Sequence, residues 1–137
     1  LIESLVPENR QVNIFNLVDA VGHKDSETTF LHLRNMLRQN EHPLIILAMV
    51  SRQYRLLYQV LFLQDKKMTL REIASFLKLP PFFVERLLEQ AKGYSKNGLS
   101  RIMAYLKDTD LKIKTGFCRP EDALEQLLLQ LTIADWT

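Results

Sequence analysis

Hydrophobic residues recur at spacings of three and four along almost the whole chain, and period-two alternation is nearly absent, so the pattern predicts helices and no sheet. Ile14, Leu17, Val18 and Val21 make the apolar stripe of a first helix over about residues 12 to 21, which Gly22 ends. Phe30, Leu33 and Leu37 mark a second, about 26 to 39. Pro43 suits the first turn of a third, reaching about residue 63. Its first half, Leu44-Ile-Ile-Leu-Ala-Met-Val50, is apolar on every side, which requires neighbours all round and makes it the expected central post. Thr69-Leu-Arg-Glu72 is a capping box opening a short fourth helix, broken at Leu79-Pro-Pro81. Pro81 seeds a fifth, with Val84, Leu87, Leu88 and Ala91 inward, and Asn97-Gly98 ends it. A sixth runs from about residue 99 to Gly116, and Pro120-Glu-Asp starts the last. The expectation is all-α, a single bundle of about seven helices spanning residues 12 to 137, without internal repeat or linker.

Two helices carry more than core pattern. On the sixth, Leu99, Ile102, Met103, Leu106, Asp110 and Ile113 share a face, which places the Asp110 carboxylate inside an apolar stripe. A buried acid requires a partner, and Arg52 and Arg55 on the third helix are the expected donors of a structural polar pair. On the last helix Leu124, Leu127, Leu128 and Leu131 form one apolar face while Leu129, Ile133 and Trp136 form another. The second face is either wedged within the domain or open to a partner, and Leu124, Leu128, Leu129, Ile133 and Trp136 are the candidate partner-facing residues.

The 137 residues, 47% hydrophobic and with 4 Gly, suit one domain with a real core and leave no room for a second. A net charge of +2 gives no mandate for nucleic acid or an anionic membrane, although residues 92 to 119 hold seven bases against Asp108 and Asp110. Cys118 is alone, which favours a reducing, cytosolic compartment. The apolar run from Pro43 to Ser51 is far short of the roughly 20 residues that span a bilayer, so no membrane role is expected. The chain opens at Leu1 with an apolar segment ahead of any capped helix, which reads as the tail of something longer.

Catalytic and cofactor chemistry has no visible address. His23, His32 and His42 are nine and ten residues apart, Cys118 is remote, and the four glycines build no phosphate loop, so no metal, cofactor or catalytic residue is assigned. Ser75-Phe-Leu-Lys78, Ser95-Lys-Asn97 and Lys114-Thr-Gly116 imitate the three motifs of penicillin-binding enzymes, but the third would close a helix where that chemistry needs a strand. Residues 69 to 96 read like a helix-turn-helix, the alternative being a DNA-binding regulator. Its leading positions, Phe82, Phe83 and Glu85, with only Arg86 suited to a guanine or phosphate, make a poor reading face.

Taken in order, Asn13-Ile-Phe-Asn-Leu-Val-Asp-Ala20, Leu37-Arg-Gln-Asn-Glu-His-Pro-Leu44, Arg52-Gln-Tyr-Arg55, the unit from Glu72-Ile-Ala74 to Pro81-Phe-Phe-Val84, Asp110-Leu-Lys-Ile-Lys-Thr-Gly116 and Ala123-Leu-Glu125 resemble the delta subunit family of the bacterial DNA polymerase III clamp loader, over nearly the whole chain. That resemblance implies the C-terminal helical collar domain of such a subunit over residues 12 to 137, with residues 1 to 11 the end of the domain before it. The preceding AAA+ type domain, through which the family opens the sliding clamp, would lie outside this chain. It also implies gamma/tau and delta-prime subunits as partners, DNA met only through the assembled complex, no ATP hydrolysis by this subunit, and a place in the bacterial cytoplasm.

Overall fold

In a computed structural model the structure describes residues 8 to 136, and among them lie seven α-helices and no strand. We label these α1 (Glu8–Gly22), α2 (Ser26–Arg38), α3 (Pro43–Asp65), α4 (Leu70–Leu77), α5 (Pro81–Ala91), α6 (Lys96–Lys114) and α7 (Pro120–Ile133). Of residues 1 to 11, read above as the end of a preceding segment, 1 to 7 lie outside the described residues and 8 to 11 form the first turn of α1.

Helix starts follow the local chemistry. The Asp25 carboxylate accepts the Thr28 amide at the head of α2. His42 caps α3, its Nδ1 accepting the Leu44 N–H at 3.1 Å, with Pro43 in the first turn. Thr69 and Glu72 form the reciprocal capping box of α4. Lys78 then takes the left-handed conformation at φ 59°, turning the chain into Pro80-Pro81 and α5.

Two boundaries differ from the sequence expectation. Helix α1 begins at Glu8 rather than near Val12, because its first turn, Glu8-Asn-Arg-Gln11, carries no apolar residue for a periodicity to register. Arg10 fixes that turn by gripping Glu41 through two nitrogens at 2.8 and 3.1 Å. Helix α5 ends at Ala91, and Asn97-Gly98 does not close it but sits in the first turn of α6. Ser95 Oγ accepts the Gly98 N–H at 2.9 Å, so the serine begins a helix where the Asn-Gly pair suggests an end.

Helix α3 is the central post, packing against α1, α4, α5, α6 and α7. Ile46, Val50, Tyr54, Leu57 and Val60 run down its buried side. Opposite them stand Leu17 and Val18 of α1, Val84 and Leu87 of α5, and Leu99 and Ile102 of α6, all in one continuous core. The expectation that neighbours surround the first half of α3 is corrected here: Leu44 and Ile45 are each 42% exposed and Ala48 is exposed. The domain supplies helices on the other sides of this segment and none on that one.

A polar spine crosses the core. Gln90 of α5 donates to the Phe15 carbonyl and to Asp19, and accepts from the buried Gln53 of α3 at 2.7 Å. The buried Gln53 amide thereby keeps a partner, and the network leads outward through half-buried Gln90 to exposed Asp19. Beside it Tyr54 meets Tyr94 edge-on, their hydroxyls 3.1 Å apart, and the Tyr94 hydroxyl reaches the Val18 carbonyl. Phe15 is held between the Phe83 ring and the Arg86 guanidinium, 4.6 Å above its face.

Candidate partner-binding surface

Helix α7 has Arg119 as its N-cap residue and Pro120 in its first turn, with Glu121 and Asp122 following where the helix dipole favours carboxylates. Its heptad-like spacing divides the faces cleanly. Ala123, Leu124, Leu127, Leu128, Leu131 and Thr132 point inward and are buried, Thr132 closing its hydroxyl onto the Leu128 carbonyl at 2.6 Å. Leu124 and Leu128 are therefore core residues and leave the set of partner-facing candidates. The i, i+3 and i+4 stripe they share with Leu127 and Leu131 belongs to the side that packs on α3 and α6.

Outward stand Glu121, Asp122, Glu125, Leu129 and Ile133, with Leu129 45% and Ile133 61% exposed. Trp136 behaves differently. Its ring stacks at a tilt on Tyr105 and under Arg101, and its indole N–H donates to the Leu131 carbonyl at 3.1 Å, so it folds back on its own domain. Lys24 adds a bond to the Ala134 carbonyl. The tail crosses α6 where Gly98 lies: a Cβ there would fall 1.8 Å from the Trp136 carbonyl oxygen. Gly98→Ala is therefore expected to lift the tail off α6, with a loss of about 1–3 kcal/mol as in other overpacked contacts. The chain has one tryptophan. A red shift of its emission, with the helix signal in circular dichroism retained, is the check.

The structural pair expected of Asp110 with Arg52 and Arg55 is not formed. Asp110 is about half-exposed, and its carboxylate binds Lys114 Nζ one turn on at 2.8 Å. The buried stripe of α6 runs Leu99, Ile102, Leu106, Thr109, because a 3.6-residue repeat carries the inner face through position 109 and leaves 110 at its edge. Thr109 can take that place because its hydroxyl closes on the Tyr105 carbonyl at 3.0 Å. Arg52 lies near the Phe83 ring, 6.0 Å from its centroid, and Arg55 is exposed.

Arg55 and Asp110 nevertheless border one feature that the sequence reading missed. A groove of about 470 Å³ runs between the first half of α3 and the second half of α6, floored by Leu44, Leu47, Ala48, Met103 and Leu106. Ser51, Arg55, Lys107 and Asp110 edge it. Its signal in the sequence was the all-round apolar character of residues 44 to 50.

Elsewhere the motif-like segments are spent on structure. In the hairpin of α4 and α5, Phe83 and Val84 are buried and Arg86 stacks on Phe15, while Phe82 is 66% exposed. A recognition helix would present such residues to base edges. Ser75 stands on α4, which packs on α3 and α5, and Lys78 caps its end, whereas Lys114 ends α6 in its pair with Asp110. Among the described residues no three His, Cys, Asp or Glu side chains converge as metal ligands, and no helix is long and apolar enough to cross a membrane.

Comparison with known proteins agrees with this architecture. The chain is 32% identical over 130 residues to DNA polymerase III subunit delta of Bacillus subtilis, a match covering 95% of this chain and 38% of that protein. The solved Bacillus subtilis DNA clamp loader delta protein superposes with a TM-score of 0.87 at 32% identity, over 97% of this chain and 39% of that one. The chain thus spans about two fifths of the length of these relatives. The model of the family described as DNA polymerase III delta subunit, C-terminal domain, matches residues 11–131. With that superposition and the family pattern running from α1 to α7, this chain belongs to the DNA polymerase III delta subunit family, as its C-terminal domain.

Proposed function

We propose that residues 12 to 137 form the collar of a clamp-loader delta subunit, a non-catalytic assembly domain that packs beside the gamma/tau and delta-prime subunits. The complete ring would load the sliding clamp on DNA during bacterial replication, in the cytoplasm. Residues ahead of α1 would join it to preceding domains, which would contact the clamp, and DNA would be met only by the assembled complex. The reading rests above all on the 32% identity that runs through 95% of the chain to a delta subunit. Apolar side chains left exposed at Leu44, Ile45, Leu129 and Ile133 agree with it, since an assembly domain keeps such surface for its neighbours.

Reconstitution tests this. The full-length delta-family chain, mixed with gamma/tau and delta-prime subunits, should co-elute with them as one complex in size-exclusion chromatography. Truncation ahead of residue 12 should abolish co-elution. A truncated chain that still assembles would end the proposal.

A further inference from the structure

We infer that the groove between α3 and α6 is the seat of an acidic amphipathic helix supplied by a neighbouring subunit, an inference that rests on the collar reading and names the contact. Leu44-Ile-Ile-Leu-Ala-Met-Val50 carries apolar residues on all sides, and the domain buries all sides but one. The bare side is the wall of the groove. Across it stand Met103, Leu106 and Lys107 of α6. A trough with an apolar floor between two helices is what a partner helix fills with residues at i, i+3 and i+7.

Charge names the occupant. Arg55 and Lys107 edge the trough, and the carboxylate beside them, Asp110, is already engaged by Lys114. The rim therefore carries an excess of positive charge, which favours carboxylates flanking the apolar stripe of the incoming helix and disfavours lysines. On this chain the outward face of α7 bears Glu121, Asp122 and Glu125 in its first half and Leu129 and Ile133 in its second, a surface whose charge is of the sign the rim favours. No α7 residue lines the groove, so acceptor and donor are separate surfaces of one domain. Sister domains that carry both can join head to tail, the heterologous contact from which rings are built.

Two measurements test the inference on the full-length chain. In the first, Arg55→Glu with Lys107→Glu, and separately Ala48→Arg to fill the trough, should weaken assembly with the gamma/tau and delta-prime subunits at least tenfold while the thermal midpoint of the free chain stays unchanged. If these variants assemble as the wild type does, the groove is not the seat, although the collar reading stands. If the wild type itself fails to assemble, the collar reading falls. In the second, the probe is a designed helical peptide with leucines at i, i+3 and i+7 flanked by glutamates. It should bind the wild-type chain, bind the Arg55→Glu/Lys107→Glu chain at least tenfold more weakly, and outcompete its lysine-flanked counterpart. Equal binding of the two peptides, or displacement of the acidic one by a short DNA duplex, would overturn the proposal.

Discussion

Leu128→Ala is expected to destabilise the domain by about 2–5 kcal/mol, while its neighbour Leu129→Ala changes stability by no more than about 0.5 kcal/mol. The two leucines are adjacent in sequence and opposite in circumstance. Leu128 has no solvent exposure and belongs to the continuous core, so truncation leaves a cavity that the surrounding helices fill only in part. Leu129 is 45% exposed on the outer face of α7, where alanine leaves no void. Urea unfolding followed by circular dichroism gives both values. The same pair separates folding from assembly: Leu129→Ala, alone or with Ile133→Ala, should weaken association with sister subunits while the free chain keeps its stability. If Leu129→Ala unfolded the chain as readily as Leu128→Ala, the division of α7 into an inner and an outer face would be wrong.

That division was half legible in the chain. The spacing of Leu124, Leu127, Leu128 and Leu131 marks one stripe and Leu129 with Ile133 another, but spacing says nothing about which stripe meets the core. Burial decides, and it moves Leu124 and Leu128 inside. The helices were readable because their punctuation is local: the Thr69 capping box, the proline at the head of α3, α5 and α7, and Gly116 at φ 78° just beyond α6 each act within a few residues. Asn97-Gly98 misleads for the same reason. Its terminator signal yields to an equally local one, the Ser95 hydroxyl capping the Gly98 N–H, while the need for a glycine there, the approach of the Trp136 carbonyl, comes from the far end of the chain.

Asp110 illustrates a different limit. Positions 109 and 110 are both compatible with a stripe passing through Leu106, and apolar counting alone favours neither. Thr109 can be buried because its hydroxyl bonds the carbonyl a turn back, and Asp110 prefers the edge, where Lys114 and water both reach it. The Gln53, Gln90 and Asp19 network was out of reach altogether, since glutamines at ordinary helical positions carry no mark of burial until three helices converge on them. The groove was legible in part: the all-round apolar run of α3 states a demand for neighbours, and only the packing shows which side the domain leaves unmet.

Alkaline pH should unfold the domain through its tyrosine pair. Burial raises the Tyr54 phenol well above its ordinary range, with the Tyr94 ring adding to the effect. Burial also pushes Tyr94 up to about 12, against a lowering by its bond to Tyr54 and with a further rise from nearby Asp19. Both phenols stay protonated in the folded chain at pH values where an unfolded tyrosine, near 10, has begun to ionise. Above that pH the unfolded state holds fewer protons than the folded one, so stability falls as pH rises, and below it the pair contributes its full share. From Tyr94 alone the fall between pH 10 and about 12 is on the order of 2 kcal/mol, since the full slope of roughly 1.4 kcal/mol per unit holds only midway between the two values. Tyr54 titrates in the same sense. That is a large part of the 5–15 kcal/mol or so that keeps a domain folded. Denaturant midpoints measured from pH 8 to 12 should thus be flat to about pH 10 and then decline. The doubly substituted Tyr54→Phe/Tyr94→Phe chain should decline less steeply, and an identical slope in the two proteins would show that these rings do not govern the alkaline transition.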